Sequence, residues 1–187
     1  MTNNIKLQEV CKQLHIPVVG TTSWPLPNEA RQILCESNPC PFTAADLDER
    51  LMGTPDFMPR SVCLFPYHVP YRGATNLARY TWATDYHLVV TDYLQRLVDE
   101  LSSTNPNELF SIHCDTSPLA DRYMAYLAGL GFYGKNKCFI NPNWGSYIVI
   151  GTVLTTLEFE PNTPITETCL GCNRCISACL LEFLNII

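Results

Sequence analysis

The sequence lacks the long apolar runs and the export signal that would place the chain in or across a membrane. No apolar run in its 187 residues reaches the roughly 18 residues that a membrane-spanning helix needs. The opening stretch, MTNNIKLQEV, is polar and lacks the apolar core of a signal peptide. We therefore expect a cytoplasmic protein that has no membrane partner.

Positive charge is also scarce, because 12 Lys and Arg against 18 Asp and Glu leave a net charge of −6. An acidic chain has no long-range attraction for nucleic acid, which normally binds a basic surface. The sequence further lacks an internal repeat, a low-complexity tract and a G-x-G-x-x-G turn after its first predicted strand. These absences exclude a repeat protein and argue against a dinucleotide-binding fold.

What the sequence does contain is enough apolar material for one domain with a real core, since apolar residues make up 47% of the chain. A chain of this size buries roughly 70% of its unfolded surface. Strands are predicted at 16–20, 60–67, 110–114 and 147–156, and helices at 1–14, 44–51, 85–101 and from Ser117-Pro118 to Gly129 and Gly131. Strands and helices mix without a β-α-β rhythm, which predicts an α+β fold with a mixed sheet flanked by helices.

The helix predicted at 85–101 has the clearest pattern. Its apolar residues recur at three- and four-residue steps, which is typical of a helix that buries one face. The residues of this stripe are Val90, Tyr93, Leu94, Leu97, Val98 and Leu101.

Ten cysteines without an export signal argue against a disulfide framework, because cytosolic thiols stay reduced. Six of the ten are scattered and are expected to behave as small buried hydrophobic residues. These six are Cys11, Cys35, Cys40, Cys63, Cys114 and Cys138.

The other four cysteines, Cys169, Cys172, Cys175 and Cys179, form a C-x2-C-x2-C-x3-C run. This spacing matches the bacterial ferredoxin run, in which a short loop curls around a cubic cluster and presents successive thiolates to different irons. Zinc sites usually use two C-x2-C pairs that lie a dozen or more residues apart. The spacing favours iron ligands for a 4Fe-4S cluster over zinc or unliganded thiols, although Leu180 replaces the usual proline after the fourth cysteine.

Five segments occur in an order that resembles the epoxyqueuosine reductases, over residues of about 46–179. They are RYTWATDYH (79–87), CDTSPLADR (114–122), AGLGFYGKN (128–136), NWGSYIVIG (143–151) and the cysteine run. Members of that family reduce an epoxide on a modified base of the tRNA anticodon in queuosine biosynthesis, using cobalamin and two 4Fe-4S clusters. The resemblance implies an oxidoreductase of tRNA processing. It also implies a nitroreductase-like cobalamin-binding domain, similar to that of cobalamin-dependent reductive dehalogenases.

The resemblance also implies roles for individual residues. Asp115 matches the proton donor of the family, and its place between a strand and a helix suits a functional group; a helix N-cap is the alternative. Arg122 and Arg50 match arginines that contact cobalamin. On the sequence alone, Arg122 equally suits an ion pair with Asp121, and Arg50 suits a solvated helix charge.

Three further positions match the family's cobalamin site. Phe139 and Ile150 match positions where the main chain meets the corrin, although their side chains also suit an ordinary core. Ala78 stands where some relatives carry a cysteine near the cobalt. We also consider His87, which is a candidate cobalt ligand or, at the start of a helix, a local hydrogen-bonding group.

The resemblance divides the chain into a cobalamin-binding catalytic domain at 1–158 and the start of a ferredoxin-like segment at 159–187. Relatives are expected to continue with a second cysteine run and helices that help to hold tRNA, whereas this sequence ends in LLEFLNII. We therefore expect a chain that lacks the C-terminal part of the family and holds one cluster. Cobalamin binding is expected before full turnover of tRNA.

The expected partners are tRNA and an electron donor, and the chain is expected to be a monomer. Two other functions remain open on the sequence. One is an iron–sulfur electron-transfer protein whose larger domain only docks to a partner, and the other is a cobalamin-dependent reductase of a small molecule.

Overall fold

The fold is built around a four-stranded sheet with helices on both faces. A computed structural model describes residues 2–23, 26–36, 61–68, 73, 76, 78–115 and 119–179. The strands are β1 (Gly20–Ser23), β2 (Ser61–His68), β3 (Phe110–Cys114), β4 (Phe132–Tyr133), β5 (Phe139–Ile140) and β6 (Ile148–Thr155). The helices are α1 (Asn3–Gln13), α2 (Asn28–Glu36), α3 (Tyr86–Thr104), α4 (Asp121–Leu127) and α5 (Arg174–Ser177), with a 3-10 turn at Arg79–Trp82.

The strands follow the order β1-β2-β6-β3, and β4 pairs with β5 in a separate hairpin. Each pairing between described strands is antiparallel, with Phe65 opposite Gly151 and Ile112 opposite Val153. The α+β class is thus confirmed, but the sheet that we expected to be mixed is antiparallel over the residues that the structure describes. An apolar pattern shows that a strand is buried and does not show its direction, which explains the difference.

Helix α3 packs on one face of the sheet through the stripe predicted from the sequence. Leu94, Leu97 and Leu101 are almost inaccessible and join Leu7 of α1 and Val153 of β6 in one cluster. Burial of such leucines is worth roughly 2 kcal/mol each before entropic costs are counted. The apolar spacing therefore decides which face of α3 meets the sheet.

The opposite face of the sheet is covered by α4 and the β4–β5 hairpin. Leu154 packs there with Met124 of α4 and Phe139 of β5. Val153 and Leu154 belong to different clusters because successive residues of a strand point to opposite faces. The same alternation places Ile150 on the face that packs with Met124 and Phe139.

Some predicted elements differ from the structure. The strand expected at 16–20 lies at Gly20–Ser23, and α2 is a helix that was not among the predicted elements. The helix expected to open at Ser117-Pro118 begins at Asp121, while residues 116–118 lie outside the described part of the chain. The helix predicted at 44–51 also lies outside the described residues.

An extended segment leads from β6 to the cysteines and is bound to the core along its path. The amide of Asn162 donates to the carbonyl of Thr21 at 2.8 Å, and the Asn162 side chain accepts from the Thr21 amide at 2.8 Å. The carboxamide of Asn4 donates to the carbonyl of Glu160 at 2.8 Å. These bonds hold the segment against β1 and α1 before it reaches α5.

None of the helices described here combines the length and apolar character needed to cross a membrane.

Candidate active site

Asp115 lies directly after β3, where the chain turns out of the sheet. Its backbone is left-handed, with φ 61°, a conformation that costs an L-residue roughly 1 kcal/mol or more. The carboxylate is exposed and borders a cavity of about 500 Å³. The predicted position between a strand and a helix is thus confirmed, and the turn directs the side chain into a concave site.

The cavity is bordered by the first residues of β6, the start of α4 and the β4–β5 hairpin. Four of the residues singled out in the sequence share this one cavity, although they come from separate segments: Asp115, Arg122, Phe139 and Ile150. Phe139 is buried, Ile150 is partly buried, and Arg122 is exposed. An apolar wall with few charged groups is typical of a cofactor or substrate pocket.

Three residues at the start of α3 form a hydrogen-bonded network with Asp115. The hydroxyl of Tyr86 donates to Asp115 Oδ2 at 2.6 Å, and His87 Nε2 lies 3.7 Å from the same oxygen. His87 Nδ1 is 2.8 Å from Asp85 Oδ1, and the Tyr86 and His87 rings stack with centroids 4.1 Å apart. The hydrogen bond to Asp115 raises the pKa of Tyr86, so this hydroxyl keeps its proton at neutral pH. His87 thus makes the local bonds that we weighed against cobalt ligation.

Asp121 is a second carboxyl group in this cavity that the sequence reasoning missed as a site residue. It is the first residue of α4 and accepts a hydrogen bond from Thr152 Oγ1 at 3.1 Å. Burial, helped by the charge of Asp115, raises the pKa of Asp121 to about 6, against the opposing effect of the Thr152 bond. The signal that could have found it is an acidic residue six positions after Asp115 and next to Arg122.

Arg122 connects this cavity with a second cavity of about 820 Å³. Its guanidinium donates to the carbonyl of Lys137 at 3.3 Å, and no ion pair between Arg122 and Asp121 is found in the described part of the chain. The two cavities share Arg122, Tyr123 and Tyr133 in their walls. Cys169 lines the second cavity. The two adjoining cavities together therefore extend from Asp115 to the cysteine segment.

The cysteine segment lies at the surface. Cys172 is exposed, and Cys169, Cys175 and Cys179 are half-buried. Backbone hydrogen bonds from Lys135 and Gly171 lower the pKa of Cys169, which favours the thiolate that binds metal.

The backbone of the segment turns tightly, because Gly171 and Asn173 both have left-handed conformations. Four thiols in one short, tightly turning stretch are the donor type that iron–sulfur clusters use. Over residues 119–179 and the other described ranges, no three His, Cys, Asp or Glu side chains converge closely enough to hold a metal ion. The four thiols are therefore suitable ligands for an iron–sulfur cluster, but the segment would have to fold more tightly to bring them around one.

The remaining predicted positions are placed as follows. Ala78 is exposed just before the 3-10 turn and is not among the residues that line the cavity. Arg50 lies outside the described residues. Cys11 and Cys114 are buried as expected, whereas Cys138 is exposed and borders the cavity, which corrects our expectation of a buried thiol.

Comparison with known proteins links these features to one family. The family described as epoxyqueuosine reductase QueG, DUF1730, matches residues 62–116. An epoxyqueuosine reductase from Bacillus cereus is 41% identical over 101 residues, which cover 54% of this chain and 27% of that protein. The structure also resembles a reductive dehalogenase with a TM-score of 0.53 at 15% identity, a likeness that concerns the fold alone.

Solved structures extend the likeness to almost the whole chain. The epoxyqueuosine reductase from Streptococcus thermophilus superposes with a TM-score of 0.82 at 26% identity, covering 96% of this chain and 52% of that one. An epoxyqueuosine reductase solved with an epoxyqueuosine-modified stem loop of tRNA-Tyr gives a TM-score of 0.82 at 28% identity, covering 97% and 52%. The chain thus spans about half the length of these solved proteins. The resemblance predicted from the five motifs is confirmed, and the chain is related to the epoxyqueuosine reductases.

Proposed function

We propose that this chain is an epoxyqueuosine reductase-like oxidoreductase that binds cobalamin in the cavity beside Asp115 and receives electrons through a 4Fe-4S cluster in its cysteine segment. The observation that carries this proposal is the convergence of Asp115, Arg122, Phe139 and Ile150 on one cavity. The neighbouring cavity is lined in part by Cys169, which supports adjoining positions for the two proposed cofactors. In this proposal residues 1–158 form the cobalamin-binding domain and 159–187 the cluster segment.

The walls of the two cavities suit a corrin, which is a broad, flat, largely apolar ring with amide side arms. Phe139 and Ile150 offer apolar contact area, and Tyr133 lies edge-on to Phe139 with ring centroids 6.2 Å apart. The exposed guanidinium of Arg122 is a good partner for amide oxygens and for phosphate. Arg50 and Ala78 complete the proposed contacts from the family resemblance.

Cobalamin, when bound, would supply a low-valent cobalt that delivers electrons to carbon. Loss of the epoxide oxygen as water takes two protons, of which the chain supplies the first and solvent the second. Asp115 is the proposed general acid for the departing epoxide oxygen, because it borders the cavity and its Oδ2 is held by Tyr86.

The proposed ligands of the cluster are Cys169, Cys172, Cys175 and Cys179. Their thiolates would hold the irons, and the lowered pKa of Cys169 favours that state. Exposure of Cys172 leaves one side of the segment open to a separate electron donor.

The proposed substrate is the epoxyqueuosine base of a tRNA anticodon, and tRNA is the proposed partner. Support comes from the solved relative that holds a modified tRNA stem loop. The net charge of −6 is not favourable for nucleic acid, so this chain should bind a stem loop weakly and with a strong dependence on salt.

Incubation of the chain with hydroxocobalamin, reconstituted cluster, dithionite and an epoxyqueuosine-containing stem loop tests the function. Mass spectrometry should show a product nucleoside that is lighter by one oxygen atom. Asp115→Asn should lower the rate by about a hundredfold or more, because the proton donor is lost. Asp99→Asn, a change on the exposed side of α3, is the matched control and should react like the unmodified chain.

Two results would redirect the proposal. Cluster assembly without cobalamin binding would favour the electron-transfer protein. Cobalamin binding without conversion of the stem loop would favour a reductase of a small molecule. Equal rates for Asp115→Asn and the unmodified chain would remove Asp115 from the acid role.

A further inference from the structure

The start of α3 carries an imidazole that the proposed function does not use. His87 Nε2 is 3.7 Å from Asp115 Oδ2, so a small shift of the exposed Asp115 side chain would complete a hydrogen bond. The His87 side chain is 42% exposed, so it meets solvent on one side and Asp115 on the other. It therefore lies between bulk water and the proposed acid.

The orientation of this imidazole is fixed by its neighbours. His87 Nδ1 and the His87 backbone amide both meet Asp85 Oδ1, at 2.8 and 2.9 Å. These bonds lower the pKa of Asp85, which keeps it an acceptor and places the hydrogen of neutral His87 on Nδ1. The stacked Tyr86 ring, at an interplanar angle of 27°, supports the same ring plane. As a result, Nε2 is the nitrogen left to face Asp115.

Tyr86 cannot perform the task for which His87 is placed. Its hydroxyl bonds the same carboxylate oxygen at 2.6 Å, but its raised pKa prevents it from giving up a proton near neutral pH. An imidazole can both accept and donate a proton through its two ring nitrogens, which suits it to proton transfer. Tyr86 therefore positions the carboxylate, and His87 is the group that can protonate it.

We propose that His87 is a proton shuttle that reprotonates Asp115 between turnovers, with Asp85 as the residue that positions its ring. In this step the Nε2–H bond of the imidazolium breaks and an O–H bond forms on the Asp115 carboxylate. The imidazole is left neutral and then takes a proton from water or buffer, and no electrons move. The inference rests on the proposed acid role of Asp115.

The first test does not depend on catalysis. Nitrogen-15 NMR of the labelled full chain should show His87 with its hydrogen on Nδ1, and Asp115→Asn should move the Nε2 resonance. Asp85→Asn should mix the two tautomers. Two results would contradict the proposed placement of His87 between Asp85 and Asp115. One is a neutral His87 with its hydrogen on Nε2, and the other is an Nε2 resonance that does not move in Asp115→Asn.

The second test separates the first turnover from later ones in the stem-loop assay. His87→Gln should leave the first turnover within about twofold, because the proposed shuttle acts only after Asp115 has given up its proton, and should slow later turnovers about tenfold or more. Added imidazole should restore them. His15→Asn is the matched control, since it also removes one imidazole and asparagine tolerates the left-handed backbone at that residue, with φ 57°.

The outcomes distinguish the shuttle from the function on which it rests. No reaction by the unmodified chain would contradict the proposed function. An active unmodified chain beside a His87→Gln variant with equal first and later turnovers would contradict the shuttle alone. Slow later turnovers that imidazole does not restore would also contradict it and would indicate a structural role for His87.

Discussion

Thr152 Oγ1 donates a 3.1 Å hydrogen bond to Asp121 Oδ1 and thereby joins β6 to the first residue of α4. Thr152 is fully buried, and burial is also the main reason that the pKa of Asp121 rises from 3.8 to about 6. Asp121 therefore keeps its proton in the folded chain over a pH range in which an unfolded chain has already lost it.

This pKa predicts a specific dependence of stability on pH. Between about pH 4 and pH 6 the folded chain binds more protons at Asp121 than the unfolded chain, so its contribution to stability falls as the pH rises through this range. Asp121→Asn should abolish that slope and should be roughly 1–3 kcal/mol more stable than the unmodified chain at pH 7. Urea unfolding at pH 4 and pH 7 measures the difference. The exposed change Asp99→Asn should leave the slope unaltered, and a slope in Asp121→Asn equal to that of the unmodified chain would be inconsistent with the account.

Helix α3 offers a matched pair of leucines that tests the packing of the core. Leu97 is 0% exposed and Leu88 is 68% exposed on the same helix. Leu97→Ala should cost about 3–5 kcal/mol, because it leaves a cavity beneath the sheet, whereas Leu88→Ala should change the free energy of unfolding by less than about 0.5 kcal/mol. Thermal or urea unfolding of the two variants gives the comparison. Similar losses for both would contradict the assigned face of α3.

Two glycines with left-handed backbones test how the linker to the cysteines packs. At Gly129, with φ 71°, a Cβ atom would lie 2.5 Å from the carbonyl oxygen of Thr163, whereas at Gly145, with φ 65°, it would meet nothing within 4 Å. Gly145→Ala should cost about 1 kcal/mol for its backbone alone. Gly129→Ala should lower the free energy of unfolding by more than this. It should also release the extended segment between β6 and the cysteines from the end of α4. Faster proteolysis near residue 163 in Gly129→Ala, absent from Gly145→Ala, would show that release; equal stability of the two variants would contradict the contact.

The proposed cluster ligands can be tested by iron content after anaerobic reconstitution. The unmodified chain should hold about four irons, and serine at any one of Cys169, Cys172, Cys175 and Cys179 should remove most of them. Cys138→Ser, which also changes an exposed thiol, should retain full iron content. Iron near zero in the unmodified chain would argue that the segment holds no cluster.

The sequence predicted the parts of the fold that local pattern controls. The α3 stripe, β3 and the β6 region follow from apolar spacing, and their observed positions agree with it. Helix α2 and the β4–β5 hairpin were missed because they are short. Nine residues in α2 and two in each strand of the hairpin are too few for apolar periodicity to indicate an element.

The candidate site was predictable only in part, for a related reason. The resemblance identified four residues of the cavity: Asp115, Arg122, Phe139 and Ile150. The sequence did not show that they share one cavity, because that cavity forms only when β6, α4 and the hairpin pack together. Asp121 was overlooked as a site residue because its raised pKa depends on burial beside Thr152, a residue far away in the chain. The network of Asp85, Tyr86 and His87 likewise depends on the turn at Asp115.

The central claim is that the cavity beside Asp115 binds a corrin, and titration of the full chain with hydroxocobalamin tests it most directly. The account predicts a saturable change in the visible spectrum and co-elution of one cobalamin per chain. Ser146→Trp, which places a large side chain in the cavity wall, should abolish binding, whereas Ser103→Trp at an exposed position of α3 should not. No spectral change in the unmodified chain, or equal binding by Ser146→Trp, would contradict the account.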